Sequence, residues 1–142
     1  MGVYSGIAQD NVTINSGKAV LQTLTVTGTL TASGGVSGGV RMAVTAVAAA
    51  GKNQATAAAL AEGLNVVSAA DGTKGVKLPT AVAGATAIVK NTAAGALLIY
   101  PATGAAINAV AVNGSYSITN LTSTMLVASS ATQWYSVPLV AS

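Results

Sequence analysis

The chain has 142 residues, with six Lys and Arg against three Asp and Glu, a net charge of +3, and no His, Cys or Phe. That inventory excludes imidazole- and thiolate-based metal or haem sites and any disulfide framework. Its side-chain carboxylates are Asp10, Glu62 and Asp71 alone, so few groups exist that surroundings could tune for catalysis. No enzyme and no cofactor are expected.

Charged residues make up 6% of the chain, against roughly 25% in an ordinary soluble domain, and they are scattered singly. With no basic cluster and no aromatic–basic interleaving, nucleic acid is not an expected partner. The mean hydropathy of +0.63 raises the question of a membrane. The most apolar stretches, Ala43–Ala50 and Ala105–Val112, are interrupted by Thr45 and Asn108 and fall far short of the ~20 residues of a spanning helix. Residues 1–6 carry neither the charged start nor the apolar run of a signal peptide, so neither membrane insertion nor secretion is expected. Ala and Val dominate the apolar residues, and small side chains bury little area each, at about 25 cal/mol per Å². Contacts between subunits are therefore expected to supply part of the stability.

In chain order, residues 1–35 read as an extended N-terminal arm. Val12, Ile14, Val20, Leu24, Val26 and Leu30 lie at even positions, while Thr23, Thr25, Thr27, Thr29 and Thr31 fill odd ones. Period-two alternation rich in β-branched residues is the strand signal. The ribbon is either an edge strand of the following domain or an arm that pairs with a partner, its six even-position apolar residues forming the interface. Ser33–Gly39 holds four glycines in seven residues and marks either a flexible linker or a tight loop.

Residues 36–142 form the second unit, with regular strands mainly over 64–142. Gln54–Ala61 is the one stretch whose alanines favour a helical turn, which Gly63 would end. Beyond it, apolar runs recur at 64–68, 75–78, 86–90, 96–100, 115–119, 124–128 and 133–137. Asp71-Gly72, Pro79, Gly84, Pro101, Asn113-Gly114 and Ser129-Ser130 punctuate them. Strands every 8–12 residues between such signals predict an all-β, antiparallel sandwich or barrel of jelly-roll type. Asn113-Gly114, ahead of Tyr116 and Ile118, predicts a hairpin turn.

Candidate chemistry is sparse. Asp71-Gly72-Thr73-Lys74-Gly75 offers either a small ion site or simply an Asp-Gly turn, and one carboxylate is too few for a calcium loop. Glu62 and Asp71 are the remaining imaginable acid–base pair, with nothing in the sequence to fix their separation. Gly51-Lys52-Asn53 lacks the rest of a phosphate-binding loop. Tyr100, Tyr116, Trp134 and Tyr135 are the heaviest side chains available. They read as core or interface anchors in preference to a sugar-stacking platform.

The stretch from Gly63-Leu64-Asn65-Val66-Val67 through Asp71-Gly72-Thr73-Lys74-Gly75-Val76-Lys77-Leu78-Pro79 resembles a module of tailed-phage structural proteins. The likeness continues over Ile88–Thr92, Tyr100–Asn108 and Ala131–Tyr135 and so covers about the last 80 residues. Leu24-Thr25-Val26-Thr27-Gly28-Thr29-Leu30 is similar in composition to the ribbons of phage fibre and cement proteins. This family of capsid decoration, head-fibre and cement proteins is β-rich and often trimeric. The resemblance implies a virion structural protein on the capsid exterior, assembled in the host cytoplasm. It would be homotrimeric through its β-domain and anchored by its arm to the major capsid protein. The alternative is a tail-fibre or spike module that binds a bacterial surface glycan. No catalytic residue is carried over by either.

Overall fold

The computed structural model describes residues 41–139. The chain divides into two units between Gly38 and Gly39, and every described residue belongs to the second. The N-terminal arm, with Val12, Ile14, Val20, Leu24, Val26 and Leu30, lies outside the described residues.

Among the described residues the protein is all-β, without a helix, and its chain shuttles between two sheets. β1 (Val44–Ala48) leads to β2 (Ala58–Ala59), β3 (Gly63–Ser68) to β4 (Gly75–Lys77), and β5 (Thr86–Asn91) to β6 (Leu97–Tyr100). β1, β3 and β5 stack in parallel in one sheet, and β2, β4 and β6 stack in parallel in the other. Val44 lies beside Leu64 and Leu64 beside Ile88, so each circuit of the chain adds one rung to a coil. Four further strands complete the unit: β7 (Ala106–Ile107), β8 (Tyr116–Ile118), β9 (Ser123–Ala128) and β10 (Gln133–Leu139). The six-stranded sheet runs β1-β3-β5-β9-β10-β7 and the four-stranded one β2-β4-β6-β8. β8 and β9 join their sheets antiparallel, β10 is antiparallel to β9, and β7 is parallel to β10.

This is a short β-solenoid with an antiparallel end, not the antiparallel sandwich or barrel expected from the strand rhythm. The seven expected runs all coincide with strands, from β3 to β6 and β8 to β10. What misleads is the turn chemistry. A Gly- or Asn-rich break looks alike whether the chain reverses beside itself or crosses ~10 Å to a facing sheet. Here residues 69–74 and 92–96 cross, and the next strand of the same sheet arrives only after a strand of the other. Asn113-Gly114 is likewise no hairpin, because β7 and β8 belong to different sheets. Asn113 does adopt a left-handed conformation, at φ +64°. Its Oδ1 accepts from the Gly104 N–H at 2.8 Å and from the Gln54 amide at 3.1 Å, tying three loops together.

The helical turn expected over Gln54–Ala61 does not form either. Asn53 closes one turn, its side-chain oxygen accepting from the Thr56 N–H and hydroxyl and its carbonyl from the Ala57 N–H. Ala58 and Ala59 then pair with Val76 and Lys77. Eight residues are too few to hold a helix without packing, and the ladder offered by β4 prevails over alanine's propensity.

The interior between the sheets is built mainly from small and branched side chains. Val67, Val76, Val89, Leu97, Ile99, Ile107, Leu126 and Trp134 are wholly buried there, with Ala87 and Ala128 filling the tighter places. Trp134 is matched across the ladder by Ala128, so the largest side chain sits beside one of the smallest. Two asparagines share this interior without exposure. Asn65 donates to the carbonyls of Ala61, Gly63 and Ile88 and accepts from the Ala61 N–H. Asn91 donates to the carbonyls of Gly95 and Thr119 at 2.9 and 3.1 Å and accepts from the Ala93 N–H at 3.0 Å. Corner backbone that no ladder can reach is satisfied this way.

Replacing Asn91 by Ala strands two carbonyls and an N–H near the core, a loss of about 1–3 kcal/mol per unsatisfied group at most sites. Urea denaturation should show Asn91→Ala destabilised by at least the lower figure, and an unchanged midpoint would refute the corner role. Gly95 lies against the corner above it, where an added Cβ would stand 2.5 Å from Asp71 Cα and 2.8 Å from the Ala70 carbonyl oxygen. Gly95→Ala should therefore force the stacked corners apart and lower the melting temperature by several degrees, whereas Gly72→Ala, with nothing within 4 Å, should reveal only the smaller cost of its φ of +89°.

Candidate interaction face

The Asp71–Gly75 corner is a closed turn. Asp71 Oδ1 accepts from the Thr73 N–H at 2.9 Å, the Thr73 hydroxyl at 2.8 Å and the Lys74 N–H at 3.0 Å. Its Oδ2 lies 3.2 Å from Lys74 Nζ. The Thr73 N–H first, then the Thr73 hydroxyl and the Lys74 contacts, hold the carboxyl well below the usual carboxylate range. Every lone pair aimed at the loop is thus committed within it, which is the chemistry of a turn. Glu62 and Asp71 stand at opposite ends of β3, whose six residues extend ~20 Å, too far apart for an acid–base pair. Among the described residues no three carboxylates or other metal-ligating groups come together.

The four aromatic anchors lie in four different settings. Trp134 is buried in the core between the sheets, and its indole nitrogen is the one buried side-chain polar atom without a partner among the described residues. Tyr100 is buried over Gly75, where a Cβ would come within 2.6 Å of its ring, and its hydroxyl donates to the Lys52 carbonyl at 3.1 Å. Tyr116 packs partly buried against the core. Tyr135 is 53% exposed on the outward face of the six-stranded sheet. They form no common platform.

That outward face carries the most distinctive surface of the unit, and sequence reasoning missed it. Reading across the strands, Val44, Leu64, Ile88, Met125 and Val137 are successive ladder neighbours. All five point away from the core, alternating with inward Asn65, Val89 and Thr124. On one side the row is flanked by Thr86, Val127 and Tyr135, and on the other by Ala46, Val66, Lys90, Ser123 and Leu139. Val44 is 67% exposed, Val137 44% and Leu139 41%. Lys90 is the one charge on the face, and its ammonium donates to the Leu121 carbonyl at its rim. The signal in the sequence was the apolar character of alternate positions in each run, but only the register aligns five of them into a row.

A second surface is a shallow cleft of about 370 Å³ beside β8 and the start of β9. Tyr116, Ile118 and Leu139 line it together with hydroxyls of Ser117, Thr119 and Thr122. Among the described residues no helix is long and apolar enough to cross a membrane. No protein-family model matches the chain, and no curated protein or solved structure is significantly similar to it.

The pH dependence of the Asp71 corner can be checked directly. A depressed carboxyl stabilises the fold at pH values above its unfolded pKa of ~3.9, and that contribution is lost as pH falls through the lower folded value. Asp71→Ala should thus melt below the wild type at pH 7, with the two curves converging as the solution is acidified below about pH 4. A gap that stays constant down to pH 2 would assign the effect to something other than the carboxylate.

Proposed function

We propose that this chain is a virion structural protein that decorates or cements a phage capsid, working as a homotrimer through its β-domain and anchored by its arm to the major capsid protein. The observation that carries this reading is the apolar row across five strands of the outward sheet face. The largest apolar patch on a protein surface is often its interaction site, and an assembled protein covers it. Two further features support it: the Gly63–Pro79 resemblance to tailed-phage structural modules, and a corner chemistry spent on holding the coil. The work of such a protein is mechanical. Binding the assembled shell and not its dissociated subunits stabilises the shell by linkage.

The cleft with Tyr116 among hydroxyls favours a second reading, a fibre or spike module that holds a bacterial surface glycan, because sugars stack on aromatic faces and bond to hydroxyls. One comparison separates the two. The full chain and a version lacking residues 1–35 are mixed with empty shells of the cognate major capsid protein and pelleted. Decoration predicts co-sedimentation of the full chain and its loss on truncation, with the β-signature in circular dichroism kept. Equal binding of both forms would remove the anchoring role of the arm. No binding by either, together with saturable glycan binding abolished by Tyr116→Ala, would turn the assignment to the second reading.

A further inference from the structure

We infer that the outward face of the six-stranded sheet is the surface through which copies of this chain pack against one another. The inference rests on the homo-oligomeric part of the function proposed above and names the residues that carry it.

The face is broad, and apart from Thr86, Lys90 and Ser123 the strand residues it presents are apolar. Five strands ~4.8 Å apart, with three outward rows ~6.7 Å apart along them, cover roughly 450–500 Å² in projection. Each partner in a durable protein interface contributes roughly 800 Å² of accessible surface. The apolar row and its flanks, which include Thr86, Lys90 and Ser123, thus supply more than half of what one stable contact requires.

The chemistry of the face selects the partner. Val44, Leu64, Ile88, Met125 and Val137 offer hydrocarbon and a thioether, with no array of donors or charges that would recognise a polar ligand or a charged protein. The single ammonium, of Lys90, is already engaged by the Leu121 carbonyl at the edge. A complementary partner must itself be largely apolar and poor in charge. The same face on another copy meets those conditions: its one charge, Lys90, lies in a flanking row between Val66 and Ser123, and the central row is hydrocarbon and thioether throughout. In a cyclic trimer each copy turns this same face toward the common three-fold axis, where the apolar side chains of the copies meet and interleave. Tyr135, at the margin of the row, is an aromatic anchor of the kind that dominates such contacts.

The test uses the full 142-residue chain. Sedimentation equilibrium and native mass spectrometry are run on the wild type and on a Met125→Lys/Val137→Lys double variant. These outward side chains are ladder partners on β9 and β10, so two lysines would enter the row side by side. The wild type is expected to be oligomeric at about 10 μM. The variant is expected to have its dissociation constant raised about a hundredfold or more, with an unchanged far-UV spectrum, as for loss of an interface centre. Should the double variant misfold, Val44→Lys, at a 67% exposed edge position, serves the same comparison. An oligomer that persists unweakened in a folded variant overturns the assignment of this face while leaving the homo-oligomer reading intact. A wild type that stays monomeric at 100 μM overturns both.

Discussion

The structure depends on taking a chain around a corner without stranding its backbone. In every rung the polypeptide leaves one sheet and crosses to the other, and the residues that cross have no ladder to bond with. Asn65 and Asn91 resolve this from inside. Each buries a side-chain amide beside the corner and distributes donors and an acceptor among carbonyls and an N–H that would otherwise be lost. Thr92 adds a third tie, its N–H and its hydroxyl both reaching the Val67 carbonyl of the preceding rung at 2.8 Å. An apolar side chain of the same size at 65 or 91 would fill the volume and fail the chemistry, since buried amides cost most when left unpaired.

The small-residue composition follows from the same geometry. Corners that stack directly on one another leave no room for side chains at the contact, which is why glycine lies at 95 beneath the Ala70–Asp71 backbone. Gly75 admits the ring of Tyr100, and Ala128 leaves space for Trp134. The interior is filled by Ala, Val, Leu and Ile around the single Trp134, and further apolar residues lie on the outward face.

The strands were legible because their alternation and β-branched content survive in any sheet, and Thr86–Asn91 or Gln133–Leu139 would read as strands in either topology. Parallel pairing was not legible. It depends on where the chain goes after Asp71-Gly72 or Asn91, and the same turn residues serve hairpins and crossings alike. The Gln54–Ala61 alanines misled for a related reason: their local preference for a turn of helix was met at Asn53 alone and then overruled by β4. The Asp71 cluster was correctly readable as a turn from Asp-Gly chemistry. The outward row was invisible in one dimension, because Val44 and Val137 become part of one surface only through three intervening strands. Whatever Val12–Leu30 does lies outside the described residues.

The rung-to-rung register has a consequence for how such a unit assembles itself. Each parallel strand pairs with the strand one circuit away, 44 with 64 and 64 with 88, so these contacts link successive rungs in a line. Folding of stacked repeats can start at one pair and propagate, each step closing a loop of modest length. The antiparallel strands are different: β9 reaches back from 127 to 86, and β10 gathers β7 to itself. They bring the sheet back on itself in chain direction and finish the coil, which makes the C-terminal strands the lock of a structure whose earlier rungs are laid down in series.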